Sequence, residues 1–406
     1  MKLTHIAITN WRNFAHIEFD MSSRLFVVGP NSSGKTNLLA ALRFLSDVAR
    51  LGLAATLDRW GAPERYFRSG TESASFDLTL EHDEHQIEYK LLLRKESSAN
   101  GQNKRDNSAS EVIEFPAGNR AVVDSEDLMI NGQPVSISAE RVPESDGSHF
   151  GERVRSSFDP DSVVQSASRF KAKNVQISIL HQIARIAIES IRYIHPNPKK
   201  MLERADRYDP DHGTGFFQHA GRFSDQQLDA VVDRIRPIMA AVVPEIPNLS
   251  YQRMGLGTEL VFYSDTPVRG ASGVYSHEQF SEGTLRLLGL LFDLATLPRD
   301  TSVVLIEEPE TFLQASVVRS LPSLLAEVAM NRDVQMVIST HSPELIDSEL
   351  VLPSQVLMLL SENGETTGQL LSESNDPRIK AVVSAGLPKS QGIDAVNGRT
   401  IPLGTW

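Results

Sequence analysis

The chain has no cysteine in 406 residues. Disulfides, zinc–thiolate sites and thiol nucleophiles are therefore excluded, and a reducing, cytoplasmic setting fits. No apolar run approaches the length of a membrane span. The opening Met1-Lys2-Leu3-Thr4-His5-Ile6 lacks the apolar core of a secretory signal. The expectation is a cytoplasmic protein with no membrane partner. No block of Lys and Arg stands out, and the formal net charge is −12. The chain as a whole repels polyanions, so nucleic acid, a candidate partner, would need a local basic patch. No heptad runs long enough for a coiled coil, and there is no internal repeat. What remains is ordinary globular composition, 40% hydrophobic and 23% charged, in a chain long enough for one large domain or two to three ordinary ones.

The most informative segment is Gly29-Pro30-Asn31-Ser32-Ser33-Gly34-Lys35-Thr36, directly after the apolar run Arg24 to Val28. This is the phosphate-binding pattern G-x-x-x-x-G-K-[ST]. Its glycines let successive backbone N–H groups turn inward toward phosphate oxygens. Lys35 adds charge at the β- and γ-phosphates, and Thr36 offers a hydroxyl to Mg²⁺. Leu38, Leu39, Leu42 and Leu45 then recur at helical spacing, so the loop opens onto a helix N-terminus, which favours anions. A strand, a glycine-rich loop and a helix in that order argue against a chance match.

Three further segments bear on the same ligand. Ser302 to Ile306 is all but apolar and ends in Glu307-Glu308-Pro309-Glu310. Such a run suits a central parallel strand buried on both faces, with its carboxylates at the ligand-binding end of the sheet. One acid can support a Mg²⁺ shell while the next polarises water. Alone, the acids would read as a solvated loop. Val334 to Ser342 is a second apolar strand ending in a polar turn with His341, alone an ordinary loop histidine. Phe280-Ser281-Glu282-Gly283-Thr284-Leu285-Arg286 precedes an apolar helix reaching about Leu297. Its small residues read as a second anion cradle or, in isolation, as helix capping by Ser281 or Thr284.

Elsewhere, alternation predicts strands over Leu3 to Ile8 and His16 to Asp20, around a polar turn at Asn10 to Phe14. A hairpin joins Phe76–Leu80 to Gln86–Leu93 through Glu81 to His85, and Asn131-Gly132 marks another. Residues 70 to 140 thus read as antiparallel β, interrupted by a polar loop from Glu96 to Ser110. Helices are expected over Asn174–Ile191 and, behind the capping box Ser224–Gln227, through Ala241 with a kink at Pro237. Thr258 to Tyr263 is a further strand. His82 and His85 read as a solvated turn rather than a metal site. The cluster Asp209, Asp211, His212 and His219 reads as a loop, and so does Lys199-Lys200.

In order and kind, these motifs resemble the ABC-type ATPases of the SMC, RecF and OLD branch. Gly29 to Thr36 resembles Walker A and Val303 to Glu308 Walker B. Phe280 to Arg286 is similar to the signature motif in an S-x-G-T-x-R form. Ser339 to Pro343 is similar to the switch-histidine motif in its T-H-S-P form, and Asn10 to Phe14 matches an N-terminal turn of the branch. The closest likeness is to short AAA-type ATPases without coiled coils. The likeness covers residues 1 to 50 and 275 to 350 and is faint between 95 and 260.

The resemblance implies an α/β fold, a P-loop NTPase of the ABC-ATPase head type. Its mixed central sheet would carry an antiparallel β subdomain and a helical insertion. The implied divisions are 1–95 (first part of the head), 96–250 (insertion) and 251–406 (second part). The implied cofactors are ATP and Mg²⁺. Asn31, Ser32, Ser33, Gly34 and Lys35 would bind phosphates together with Gly29 and Asn37, and Arg12 would lie nearby. Thr36 and Glu307 would hold Mg²⁺. Glu308 would be the catalytic base and His341 the γ-phosphate sensor. Ser281, Glu282, Gly283 and Thr284 would meet the nucleotide of a second copy, in a homodimer of heads or a higher oligomer. Three departures stand out: Glu307 replaces the usual aspartate, Gln314 stands where relatives carry His, and no Q-loop glutamine is assignable, Gln165 included. Only 63 residues follow Pro343, too few for a Toprim nuclease, so a separate effector protein is expected.

The implied function is ATP hydrolysis in which head dimerisation controls a DNA-linked event such as repair or anti-phage defence. The alternative is a nucleotide-bound regulatory scaffold that holds and releases an effector. A transporter subunit fits less well, because its signature would read L-S-G-G-Q.

Overall fold

A computed structural model describes residues 1–97, 119–134, 185–209, 212–244, 246–254, 259–264, 275–362 and 365–397. The chain divides into two compact units, one drawn from Met1–Ile191 and Leu357–Asn375, the other from Arg192–Val356 and Asp376–Gly398.

The first unit opens with strands β1 (Lys2–Trp11), β2 (Phe14–Asp20) and β3 (Arg24–Val28). Helices α1 (Lys35–Leu51) and α2 (Leu53–Trp60) follow. Next come β4 (Ser73–His82), β5 (His85–Ser97), β6 (Asn119–Ile130) and β7 (Gln133–Pro134). An antiparallel sheet runs in the order β2-β1-β4-β5-β6-β7. Its register sets Ile6 opposite Phe19 and Leu78, and Ile8 opposite Ile17 and Phe76. One face is thus apolar along its length, as the alternation required. The first hairpin is tighter than the sequence suggested: β1 runs through Trp11 and β2 begins at Phe14. Likewise His82 pairs with His85, leaving Asp83-Glu84 as the turn. Cross-strand pairing outweighs the polar character of these residues.

Trp11, Phe44, Tyr66 and Phe76 are fully buried. Their rings lie 5.1–5.8 Å apart, with Trp60 at the margin. The Trp11 indole N–H donates to the carbonyl of Asn37 at 2.9 Å. The sheet therefore holds the first turn of α1, and with it the phosphate loop. Residues 185–189 are helical, and Ser46 donates to the carbonyls of Glu189 and Ile191 at 3.3 Å each. The expected helix stops two residues early, at 189, while residues 174–184 of it and nearly all of the Glu96–Ser110 loop lie outside the described residues.

The second unit begins with β8 (Arg192–Ile194) and the helices α3 (Pro198–Met201), α4 (Phe216–Ala220) and α5 (Asp225–Val242). The predicted capping box is present: Ser224 accepts from Gln227 N–H at 3.3 Å, and Gln227 accepts from Ser224 N–H at 2.9 Å. Lys199-Lys200, expected in a loop, lies in α3, because Asn197 caps both backbone N–H groups. A small antiparallel sheet joins β9 (Leu249–Met254), β10 (Glu259–Ser264) and β11 (Tyr275–Ser276). Then come α6 (Glu282–Ala295), β12 (Val303–Glu307), α7 (Ala315–Val318), α8 (Leu321–Arg332), β13 (Gln335–Ser339) and α9 (Pro343–Ile346). β12 lies between β13 and β8, parallel to both. It is buried on both faces, as its unbroken apolar run demands. Phe216, Phe262, Phe292 and Leu288 centre this unit's core.

The chain returns to the first unit with β14 (Val356–Glu362) and β15 (Glu365–Leu370), which pair antiparallel beside β3. It ends its described course in the second unit with α10 (Pro377–Ser384) and α11 (Lys389–Asn397). No described helix is long and apolar enough to cross a membrane.

Candidate functional site

The phosphate loop belongs to the first unit. Ser32 has φ of 66° and Gly34 φ of 105°, so the chain curls as a phosphate cradle needs. A Cβ on Gly34 would lie 2.3 Å from Asn13 Nδ2, so only glycine fits. Asn13 is the buttress here. Its Nδ2 donates to the Ser33 carbonyl at 3.0 Å and to Thr366 Oγ1 at 2.8 Å. Its Oδ1 accepts from Asn37 Nδ2 at 2.7 Å. Asn31 and Ser32 are exposed, whereas Ser33 and Lys35 are buried. Lys35 Nζ folds over the loop, donating to the carbonyls of Gly29 at 3.0 Å and Pro30 at 3.1 Å. Ser33 Oγ is buried without a hydrogen-bond partner among the described residues, turned inward against Gly29.

Thr36 is exposed in the first turn of α1, where Gly34 provides no side-chain cap and no acid opposes an anion. Arg12, with φ of 49°, donates from Nη1 to Asn37 Oδ1 at 2.8 Å. Its guanidinium lies 5.7 Å from the Trp11 ring and 5.8 Å from the Trp60 ring. Burial, with Arg43 nearby, lowers its pKa.

The acids and the histidine belong to the second unit. Parallel register sets Glu307 opposite Ser339, so the next residues of both strands emerge together. Glu308 Oε1 lies 3.2 Å from His341 Nε2, and its Oε2 accepts from Thr311 Oγ1 at 3.3 Å. Glu308 has φ of 43°, a left-handed backbone that costs a side-chain-bearing residue about 1–2 kcal/mol. Its N–H donates to Ser339 O at 3.0 Å and Ser339 Oγ at 3.3 Å. Glu310 Oε1 accepts from Thr340 Oγ1 and from the His341 N–H, both at 2.7 Å. The Glu307 carboxylate accepts from Tyr193 Oη and lies 3.8 Å from His195 Nδ1. Burial, then Arg286, pushes the His195 pKa down, against the pull of Glu307.

The segment before α6 takes the capping arrangement. Ser281 Oγ accepts from the Thr284 N–H at 3.1 Å and lies 2.9 Å from Thr284 Oγ1. Ser281 and Glu282 are exposed, with Glu282 3.6 Å from Lys199. A Cβ on Gly283 would meet the Phe312 carbonyl at 2.4 Å. Gln314 caps nothing with its side chain and is exposed.

Three more residues, whose contacts the motifs do not reveal, surround Glu307. Arg286 is 2% exposed and donates to the carbonyls of Pro196 at 2.5 Å, Glu307 at 2.7 Å and Glu308 at 3.0 Å. Its signal in the sequence was its place as the last residue of the S-x-G-T-x-R motif. Tyr193 and His195 gave none, being brought to Glu307 by the pairing of β8 with β12. His82 lies 3.7 Å from Asp83, His85 3.1 Å from Asn131 and His212 3.0 Å from Asp209. His219 stacks on Tyr208 at 4.3 Å instead of lying in a loop, and Asp211 falls outside the described residues. Among the described residues no group of three or more His, Cys, Asp or Glu could hold a metal. Thr36 Oγ1 in the first unit and the Glu307 carboxylate in the second are each hard oxygens of the kind Mg²⁺ takes.

Among protein families, residues 25–347 match the one described as "AAA domain, putative AbiEii toxin, Type IV TA system". The chain belongs to this AAA-domain family. It is an ABC-type ATPase of the SMC, RecF and OLD branch, as its motifs implied. It is 45% identical over 73 residues to the "DNA replication and repair protein RecF" of Leptospira interrogans, 17% of this chain and 20% of that one. It is 29% identical over 138 residues to RecF of Leifsonia xyli, 33% of each chain. Over 47 residues it is 45% identical to "Endonuclease GajA" of Bacillus cereus, 12% of this chain and 8% of that one. These matches span a third or less of the relatives' lengths. A solved SMC head bound to the C-terminal winged-helix domain of ScpA has a TM-score of 0.51 at 12% identity. It covers 91% of this chain and 97% of its own. That likeness establishes the fold: an ABC-ATPase head with a mixed sheet and an antiparallel β sheet.

Proposed function

We propose that this ATPase binds ATP through Gly29–Asn37 and hydrolyses it with Glu308 as general base. The observation that carries this is the Glu308–His341 contact at 3.2 Å. It sits where two parallel strands end, the usual place for ligands in such sheets. Glu308 takes a proton from water as the water oxygen bonds to the γ-phosphorus. The bond from that phosphorus to the bridging oxygen breaks, giving ADP and inorganic phosphate. His341 holds the carboxylate and senses the γ-phosphate. Lys35 and the loop N–H groups of Asn31 to Gly34 bind phosphate oxygens, with Arg12 supporting the loop through Asn37. Thr36 and Glu307 would hold Mg²⁺, which would supply neutralisation of phosphate charge.

Two heads pair, with Ser281, Glu282, Gly283 and Thr284 of one meeting the nucleotide of the other. ATP then favours the dimer because each nucleotide touches both chains. The process served is DNA-linked, in repair or anti-phage defence. Support comes from the names of the RecF and GajA relatives, a replication and repair protein and an endonuclease. A separate effector protein is the proposed partner.

Mass measurement of the Glu308→Gln protein in solution tests the pairing. The proposal expects a dimer with ATP and Mg²⁺ and a monomer without. Monomer under both conditions contradicts it. Duplex DNA that stimulates turnover at low salt but not at high salt supports the DNA link. Slow, DNA-independent turnover with a stably bound protein supports the regulatory-scaffold alternative.

A further inference from the structure

α6 is fastened to the turn that carries Glu308 at two points one helical turn apart. At the first, Gly283 lies so close to the Phe312 carbonyl that a Cβ would sit at 2.4 Å. At the second, Arg286 reaches the carbonyls of Glu307 and Glu308, at 2.7 and 3.0 Å, while its other nitrogen holds the Pro196 carbonyl. Positions three apart share a helix face, so both contacts lie on the same side of α6.

The same turn is held from the opposite side. The Glu308 N–H donates to Ser339 at the end of β13. The peptide group before Glu308 therefore has partners on both β13 and α6, and the one after it has Arg286 of α6. Glu308 keeps φ of 43°, a conformation that persists only where the surroundings over-determine it. Rotation to an ordinary helical φ would reorient these peptide groups and carry the carboxylate away from His341. A guanidinium suits this task because its planar fork sends separate nitrogens to carbonyls on different segments in a fixed geometry, where an ammonium offers one nitrogen. Burial disfavours the charge, and the carboxylates of Glu310, Glu307 and Glu308 offset that cost, so the fork is kept charged where its hydrogen bonds go to the backbone around Glu308.

We infer that Arg286 is a positioning residue: it holds the backbone of Glu308 in its left-handed conformation and couples Ser281–Thr284 to that base. Ser281 caps the helix that carries Arg286. A ligand that shifts the start of α6 thus acts on the aim of Glu308. This inference rests on Glu308 being the base.

Steady-state ATP hydrolysis and equilibrium ATP binding test it, using the full chain as wild type, Arg286→Lys, Glu308→Gln and the double variant. The Lys variant keeps the charge and loses the fork. Expected is a kcat at least about tenfold lower, with KM and the ATP Kd within about twofold. In the Glu308→Gln background, Arg286→Lys should cost nothing further, because it acts through that carboxylate. A Lys variant with wild-type kcat overturns the inference. So does an undiminished loss in the double variant, or a parallel loss of ATP binding. If the Lys variant does not fold, Gly283→Ala presses on the other contact, and the same split between kcat and Kd is expected; an unchanged kcat there overturns the coupling. Equal turnover by wild type and Glu308→Gln would instead overturn the assignment of the base, a distinguishable failure.

Discussion

His341 Nε2 stands 3.2 Å from Glu308 Oε1, a meeting set by the parallel register of Glu307 with Ser339. Neither side chain is deeply buried, so both remain open to a nucleotide. Glu310 grips the His341 N–H and the Thr340 hydroxyl, which fixes the loop independently of Glu308. His341→Ala should therefore leave the loop in place while releasing the carboxylate. The expected result is a kcat lower by on the order of tenfold or more, with an ATP Kd within about twofold. Paired turnover and binding measurements check this. A large loss of affinity would show that His341 binds rather than senses.

The phosphate loop depends on a side chain outside its own motif. Asn13→Ala removes the support beneath Ser33 and Asn37. Loss of these bonds, each worth about 1 kcal/mol, should weaken ATP binding roughly tenfold with little change in kcat. Gly34→Ala should be harsher, because the added methyl group meets Asn13 and φ is 105°. ATP binding there should vanish and the melting temperature should fall. Calorimetry on both variants, beside wild type, reads each outcome.

A buried histidine ties the second unit's stability to pH. His277 is 3% exposed, stacks on Phe217 at 3.7 Å, and accepts the Phe262 N–H on Nδ1 at 3.2 Å. Burial lowers its pKa, although Glu278, the Phe262 contact and Glu259 oppose the shift. The folded protein thus keeps this imidazole neutral where the unfolded chain, near about 6.5, already takes up a proton. The unfolded state then binds more protons, so stability falls as pH drops below that value and is unaffected above it. Between pH 7.5 and pH 5.5, wild type should lose more melting temperature than His277→Gln. Equal losses would remove His277 as the cause.

Contiguity decided what could be read from the sequence. Gly29–Thr36, Val303–Glu308 and Ser339–Pro343 each carry strand and loop chemistry within a few residues, so family, fold and nucleotide were legible. The β hairpins were legible too, with turns placed too wide because polar His82 and His85 hid their pairing. Asn13 was not legible as a buttress: its partners lie 20 and 353 residues away. Nor was Tyr193, which reaches Glu307 only through the pairing of β8 with β12. Arg286 stood inside a recognised motif, yet its task depends on the carbonyls it meets, which no spacing reveals. The left-handed backbone at Glu308 is likewise a product of tertiary contacts and not of its residue type.

The central claim is that this chain hydrolyses ATP with Glu308 as base on a nucleotide held by Lys35. The most direct test is the ATP turnover of wild type, Glu308→Gln and Lys35→Ala with Mg²⁺, alongside ATP binding by each. The account predicts turnover by wild type. It predicts a loss of about 100-fold or more in Glu308→Gln with binding retained, and loss of binding itself in Lys35→Ala. Turnover by Glu308→Gln at the wild-type rate would contradict it.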